Sequence, residues 1–377
     1  MKKIYLSYPH YSHVNLEQES IKNAIENNNI FSSLDNIIKF EDSIKCYLSE
    51  GKSIIALNSG TSALHLALIL AGVGHKDEVL CQSFTYVASA NPILYQRATP
   101  VFVDSERDTW NMCPVTLELA IKDRISKGKK PKAIIFVHAF GMPAKIKEIV
   151  AIARKYKITI IEDSAEALGS TYKGQKCGTF GDFGILSFNS NKIITTSGGG
   201  VLICDSEKLK EKARYLASQA LGDLPYYEHS EVGYNYRMSN LLAGLGVQQM
   251  KEIDNRIKLR RNNNEYYKKL FENVKGVTVF SEPTQNIFSN HWLSCILIDP
   301  HSTNFTPEEL RLKLIEDNIE ARFLWKPLHQ QPIFKKFSYY GTKIAESLFN
   351  SGLCLPSGSN LTERDRRRIG DSIHKLL

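Results

Sequence analysis

The sequence predicts an α/β protein: a mainly parallel sheet with helices on both faces, followed by a smaller C-terminal α+β domain. Three observations carry this expectation. Between about residues 53 and 205, short apolar runs alternate with runs of helical patterning. Those apolar runs are near-continuous, as in strands covered on both faces. After Cys204 the texture changes to long charged helical stretches and then to short strands.

The elements follow in order. "SIIAL" (53–57) is an apolar, β-branched strand. The loop 58–61 leads into the helix "SALHLALILAG". "DEVLCQ" reads as a strand, "VASANPILYQR" as a helix and "PVFVD" as a strand. "KAIIFVHAF" (132–140) reads as a longer buried strand. "AKIKEIVAIARKY" has apolar residues at helical spacing, and "ITIIED" (158–163), "FGILSF" and "GVLICD" are strands. A mostly helical region is expected to about Lys275. "VTVF", "HWLSCILID", the helix "PEELRLKLIEDN", the strand "IEARFLW" and a C-terminal helix then complete the smaller domain. The expected division is 1–250 and 251–377, with the N-terminal segment free to pack on the small domain.

The 377 residues are 42% hydrophobic and 23% charged, an ordinary composition for a chain with a large core. No apolar run approaches the roughly 18–20 residues of a membrane span. The longest, Leu66–Gly74, reads as buried helix. "MKKIYLSYPHYSHVN" lacks the apolar stretch of a signal peptide. Seven cysteines, an odd number without CxxC spacing, give no disulfide framework and no metal site. Cys81, Cys204 and Cys295 read as small core residues, and the expected compartment is the reducing cytoplasm. The net charge of +8 is not gathered into a basic block, which argues against nucleic acid. It is either a solvated surface or a field that attracts a small phosphorylated anion.

Ligands of such sheets bind outside the carboxyl ends of the strands. Four segments end strands there. In "NSGTSALHLAL" a strand gives way to a helix through Gly60 and Thr61. The helix N-terminus, with the Thr61 and Ser62 hydroxyls, is either an anion cup or a capped helix. Neither the GK[ST] of a P-loop nor GxGxxG is present there. In "SFTYVASA", Tyr86 is placed to stack on a flat ring or to fill the core. In "IIEDSAEALG" a strand delivers Glu162 and Asp163. Asp163 either faces a ligand, where it holds a ring nitrogen protonated, or caps the next helix with Glu166 three residues on. In "SFNSNKIITTSGGG", Ser187 and Asn189 are phosphate donors, and Lys192 sits among uncharged residues. Without a counter-charge, such a lysine is a nucleophilic amine. Asp163 precedes it by 29 residues, one strand-turn-strand passage. A phosphate cup, a stacking aromatic, an acid for a pyridine nitrogen and a Schiff-base lysine are together what pyridoxal phosphate needs.

These segments, with "VHAFG", "GTFGDFGILSF", "GYNYRMSNLLAGLG", "RFLWKPLHQQPIF" and "LCLPSG", resemble the DegT-type nucleotide-sugar aminotransferases, a branch of the fold-type I pyridoxal phosphate enzymes. The resemblance covers most of the chain. It implies that Lys192 bonds the cofactor and acts as general base and acid, and that Asp163 pairs with the pyridine nitrogen. Tyr86 would stack on the ring. Gly60, Thr61, Ser62, Ser187 and Asn189 would hold the phosphate, and Glu166 would lie near the ring hydroxyl. Asn235 would reach the phosphate across a homodimer interface, and Arg322, Trp325 and His329 would face the nucleotide sugar or form a stabilising aromatic-basic cluster. "SFNSNKIITTSGGG" is most similar to enzymes that aminate the 4-keto carbon of UDP-linked 2-acetamido-2,6-dideoxy sugars for bacterial surface glycans, lipopolysaccharide among them. L-glutamate would be the donor. Amination at a 3-keto carbon, or of dTDP- or GDP-linked sugars, stays open. So does a non-catalytic binding protein on the same fold. Sugar-dehydrating relatives carry histidine where Lys192 stands.

Overall fold

The computed structural model describes residues 2–11, 14–26, 34–49 and 51–377. Met1, Ser12 and His13 of the N-terminal stretch discussed above lie outside the described residues. Two helices, α1 (Val14–Glu26) and α2 (Asp35–Leu48), come first. Strands and helices then alternate: β1 (Ser53–Leu57), α3 (Gly60–Leu70), β2 (Glu78–Gln82), α4 (Asn91–Tyr95), β3 (Thr99–Val103), α5 (Pro114–Ser126), β4 (Ala133–Val137), α6 (Ile146–Tyr156) and β5 (Thr159–Asp163). The hairpin β6 (Thr171–Tyr172) and β7 (Gln175–Lys176) leads to β8 (Phe183–Ser187), β9 (Gly200–Cys204) and α7 (Glu207–Ala217). Next come α8 (Asn240–Met250), α9 (Ile253–Phe271), β10 (Val277–Val279), β11 (Ile287–Phe288), β12 (Ser294–Ile298) and α10 (Pro307–Glu316). The chain ends with β13 (Arg322–Phe323), β14 (Tyr339–Tyr340), α11 (Ile344–Ser351), β15 (Gly352–Leu355) and α12 (Glu363–His374).

The main sheet has the order β1-β9-β8-β5-β4-β2-β3-β14. From β8 to β14 neighbours run parallel, whereas β9 is antiparallel to both of its neighbours. Both faces are covered. Ile134, Phe136 and Ile160 pack with Leu117 and Ile121 of α5 and Ile149 of α6. Ala133, Ile135 and Ile161 pack with Leu64 and Leu68 of α3. Two buried faces are why these strands read as unbroken apolar runs. The free edge of β1 is closed by Glu41 of α2, whose carboxylate accepts the Ala56 N–H at 2.9 Å, and by Tyr236, whose carbonyl accepts the Asn58 N–H at 2.8 Å.

Several elements depart from expectation. "VASANPILYQR" is a 3₁₀ turn (Val87–Ser89) followed by α4, because Pro92 has no N–H to continue a helix and starts a new one. The strand in "KAIIFVHAF" stops at Val137, and Phe140 then adopts a left-handed φ of 57°. Residues 218–239 are irregular rather than helical. Their backbone bonds to the end of α7 instead, with Tyr234 N–H to Leu216 O at 2.7 Å and Tyr236 N–H to Ala217 O at 3.0 Å. "IEARFLW" supplies only the two residues of β13. Helix α5 was not expected. Its buried stripe, Leu117, Ala120, Ile121 and Arg124, includes a cation that pairs with Glu78 and interrupts the apolar pattern.

The second sheet is antiparallel, in the order β10-β12-β15-β13. Tyr267 and Phe271 of α9, Leu310 and Leu314 of α10, and Ile369 and Ile373 of α12 share its core. The N-terminal segment packs here: Ile4 N–H donates to Asn318 O at 3.0 Å, and Glu320 N–H donates to Ile4 O at 2.8 Å. Helix α9 straddles the two cores, since its Ile253 and Ile257 belong to the large one. Among the described residues, no helix is long and apolar enough to cross a membrane.

Candidate active site

The site begins where β1 ends. Ser59 is the N-cap of α3, extended at φ −164° and ψ 158°, and its hydroxyl oxygen accepts the Ser62 N–H at 3.0 Å. The open first turn of α3 therefore presents its N–H groups and positive dipole end at the carboxyl edge of the sheet. Gly60 sits against the end of β8, where an added Cβ would lie 3.1 Å from Ser187 Cβ.

A cavity of about 380 Å³ opens at this edge. It gathers Gly60, Thr61, Tyr86, Asp163, Glu166, Ser187, Asn189, Lys192, Arg322 and Trp325 from the residues singled out in the sequence. Three others are placed elsewhere. Ser62 is buried, and its hydroxyl donates to Asn58 Oδ1 at 2.6 Å and meets Ser59 Oγ at 2.8 Å. Ser59, the cap, lines the pocket beside Thr61, whereas Ser62, the third helical residue, does not. His329 lies off the pocket in the stabilising cluster. Its ring stacks on Tyr339 at 3.7 Å, with Nδ1 2.7 Å from Ser83 Oγ and Nε2 3.3 Å from Glu346. Asn235 is exposed outside the lining, and its carbonyl accepts from Asn58 Nδ2 at 3.0 Å.

β5 delivers two carboxylates with opposite duties. Glu162 points away from the pocket into the fully buried interior. Its oxygens accept from His138 Nε2 at 2.8 Å and from the N–H groups of Gly178, Phe180 and Gly181. Burial pushes this carboxyl up, but His138 and the N–H donors outweigh it and hold the group below its usual range. His138 Nδ1 accepts the Ala144 N–H, which fixes the proton on Nε2. With its acceptors so occupied, Glu162 is structural. Asp163 lines the pocket. Oδ2 accepts the Ser89 hydroxyl at 2.7 Å, and Oδ1 accepts the Ala165 N–H at 3.2 Å in a tight turn. No helix follows, so the capping alternative reduces to that one bond. Burial raises its pKa, against the pull of the two donors and of Lys192. Burial makes the charge of this carboxylate costly, a cost that a nearby cation offsets, and a protonated ring nitrogen is one.

Lys192 lies in the loop between β8 and β9, its side chain largely buried. Its setting differs from the one expected. The lysine does have a counter-charge: Glu166 Oε1 is 3.8 Å from Nζ, carried there by the turn after β5. The Trp292 ring lies 4.4 Å from Nζ on another side. Backbone bonds fix the loop. Asn191 O accepts from Trp292 Nε1 and Ser7 Oγ, both at 2.8 Å, and Lys192 O accepts from the buried Arg260 at 3.4 Å. Burial pushes the Glu166 carboxyl up to about 7, against Lys192 and the Phe140 N–H.

At the outer side, Tyr86 is half exposed, and Trp325 stacks parallel to Phe140 at 5.8 Å. Arg322 is exposed and paired with Glu320. The sequence reading missed Ser59, Ser89 and Trp292. Only Ser59 carried a signal, as the last N-cap type before the helix.

The residues present therefore fit pyridoxal phosphate: an anion cup, an exposed aromatic face, a buried carboxylate in want of a cation, and one lysine. Residues 12–374 match the DegT/DnrJ/EryC1/StrS aminotransferase family. The chain is 47% identical over 372 residues to EpsN of Bacillus subtilis (strain 168), named as a pyridoxal phosphate-dependent aminotransferase. The match covers 98% of this chain and 94% of that one. It is 35% identical over 360 residues to GDP-perosamine synthase of Escherichia coli O157:H7, covering 96% and 95%. It is 29% identical over 372 residues to a UDP-4-amino-4,6-dideoxy-N-acetyl-beta-L-altrosamine transaminase of Campylobacter jejuni, covering 97% of each. The UDP-sugar enzyme is thus the more distant of these three, although the sequence motifs pointed to that subgroup first. The chain belongs to the DegT/DnrJ/EryC1/StrS aminotransferase family and is a pyridoxal phosphate-dependent sugar aminotransferase.

Proposed function

We propose that the protein transfers the amino group of L-glutamate to the 4-keto carbon of a UDP-linked 2-acetamido-2,6-dideoxy-4-keto-hexose, in bacterial surface-glycan or diamino-sugar synthesis. The observation that carries this reading is the single cavity in which Lys192, Asp163, Tyr86 and the α3 cup meet, with Arg322 and Trp325 in the same lining. The bound cofactor supplies an electron sink for the carbanion at the reacting carbon. Lys192 Nζ removes the proton from the α carbon of glutamate and, in the second half-reaction, delivers one to carbon 4 of the sugar. Asp163 stays ionised and keeps the ring nitrogen protonated. Gly60, Thr61, Ser187 and Asn189 hold the phosphate, and Tyr86 covers the ring. Arg322 grips a phosphate of the nucleotide, and Trp325 lies against the sugar or base. In this reading residues 1–250 form the cofactor domain and 251–377 the smaller one, in the cytoplasm.

The likeness of "SFNSNKIITTSGGG" and "RFLWKPLHQQPIF" to the UDP-sugar subgroup and the name of the Campylobacter relative support the choice of sugar. The greater identity to GDP-perosamine synthase favours a second reading, a GDP-linked keto sugar. Pure protein with glutamate and a panel of 3-keto and 4-keto nucleotide sugars at equal concentration separates them. Two-dimensional NMR of the product ring is expected to place the new amine at carbon 4 of the UDP sugar. An amine at carbon 3, or a marked preference for a GDP- or dTDP-linked sugar, would overturn the choice of substrate and leave the aminotransferase intact.

We further infer a two-fold dimer with shared sites. Leu224, Tyr226, Tyr227 and Val232 are exposed in the irregular stretch that leads to Asn235. Asn235 itself is exposed and does not line its own cavity. Mixing Lys192→Ala and Asn235→Ala chains is expected to give activity above either parent, because one site of each mixed dimer escapes both defects. Mixed dimers that form without any recovery would sink the idea.

A further inference from the structure

We propose that Glu166 is the proton partner of Lys192: its carboxylate takes the proton of the lysine ammonium and leaves Nζ the free amine through which the lysine would hold the cofactor. The inference rests on the assignment of Lys192 above. In the transfer the N–H bond at Nζ breaks, the O–H bond at Oε1 forms, and the electron pair stays on Nζ. No other reactant is consumed.

One carboxylate oxygen is anchored by a backbone N–H, and the other is the one nearer the lysine. Oε2 accepts the Phe140 N–H at 2.7 Å, and Oε1 stands 3.8 Å from Nζ. Rotation of the flexible lysine closes the remaining gap. The anchor is costly to make. Phe140, a bulky residue, is held in the left-handed region at φ 57°, where side chains with a Cβ are uncommon. Its neighbour Gly141 is fixed by two hydroxyls, Ser170 Oγ at 2.7 Å and Ser289 Oγ at 3.0 Å, both donating to its carbonyl. The strained residue thus occurs where an N–H must meet Glu166.

The surroundings leave the proton little choice. Among the described residues, Glu166 carries the one carboxylate within 4.0 Å of Nζ. Trp292 supports a cation through its ring face but offers no acceptor for a proton. Asp163, the next acid, is engaged by Ser89 and Ala165. Burial pushes the Cys295 thiol far above its ordinary pKa, so it stays protonated. Burial pushes the Glu166 carboxyl up to about 7 against the field of Lys192, so the pair gives up the first of its two protons near neutrality and shares the second.

The test is competitive acetylation of Lys192 with acetic anhydride, in the full chain stripped of cofactor, read by mass spectrometry across pH. An isolated lysine reacts about tenfold faster per pH unit below its pKa. In wild type the rate is expected to rise to pH 7 and then change less than about twofold from pH 7 to 8, because the pair then holds one proton in common and its partition between Nζ and Oε1 does not depend on pH. Glu166→Gln is expected to rise about tenfold over that interval. Glu166→Asp, which keeps the charge but withdraws it from Nζ, is expected to lose the plateau as well and carries the comparison if the glutamine variant does not fold. A wild-type rate without a plateau, or a plateau that survives in either variant, would overturn the relay. The profile is read without turnover. Transamination that persists in Lys192→Ala would instead remove the assignment of Lys192, whatever the profile.

Discussion

Lys192→Ala is expected to abolish transamination while the chain remains folded. Two functions disappear together: the covalent attachment of the cofactor, and the base that moves protons between the two substrates. General-base catalysis alone contributes roughly 10²–10⁴-fold, so the combined loss should reach about 10⁴-fold or more. The fold should survive because the loop is held by backbone bonds from Ser7, Trp292 and Arg260, none of which uses the lysine side chain. The cofactor's phosphate should still bind, since the cup is built from α3 and β8. Steady-state activity in variant protein free of wild-type carry-over would contradict the assignment.

Asp163→Asn is expected to keep cofactor binding largely intact and to slow turnover by about ten- to over a hundred-fold. An amide does not hold a ring nitrogen protonated, and a charge-assisted hydrogen bond is worth roughly 1.5–3 kcal/mol. The same substitution has an opposite effect on the cofactor-free chain. Burial raises the pKa of Asp163 in the fold. The stability linked to such a group is present below its unfolded pKa and is lost as pH rises through the folded one. Asparagine has no such loss, so cofactor-free Asp163→Asn should melt no lower than wild type at pH 8, and the difference should shrink as the pH falls toward 4. Wild-type kinetics in the variant would mean that Asp163 serves only the turn at Ala165. A lower melting temperature at pH 8 would mean that its carboxylate is structural.

Much of this was legible in the sequence for a definite reason. Parallel strands buried on both faces advertise themselves as apolar runs, and the site of such a sheet lies where those runs end. Asp163, Ser187 and the α3 cup are therefore found by locating strand ends. The helix N-terminus was found to within three residues, which was enough for the cup but not to separate Ser59, which faces the pocket, from Ser62, which faces its own cap. What sequence proximity conceals is tertiary. Lys192 has uncharged neighbours along the chain, yet the turn after β5 brings Glu166 beside it. Trp292, 101 residues beyond Asn191, reads as one more apolar residue in a strand-like run until the fold lays its ring beside Nζ. His329 was matched by motif position, but the chain turns it toward Ser83 and Tyr339. Helix α5 was hidden because its buried stripe includes Arg124, whose charge is acceptable only once Glu78 is across from it.

The most direct test of the central claim is to reduce the cofactor-loaded wild-type protein with borohydride, digest it, and locate the modified lysine by mass spectrometry. A phosphopyridoxyl group on the peptide that contains Lys192, in near-stoichiometric amount, is the predicted result. Attachment to another lysine, or a protein that binds the cofactor but retains none after reduction, would contradict it.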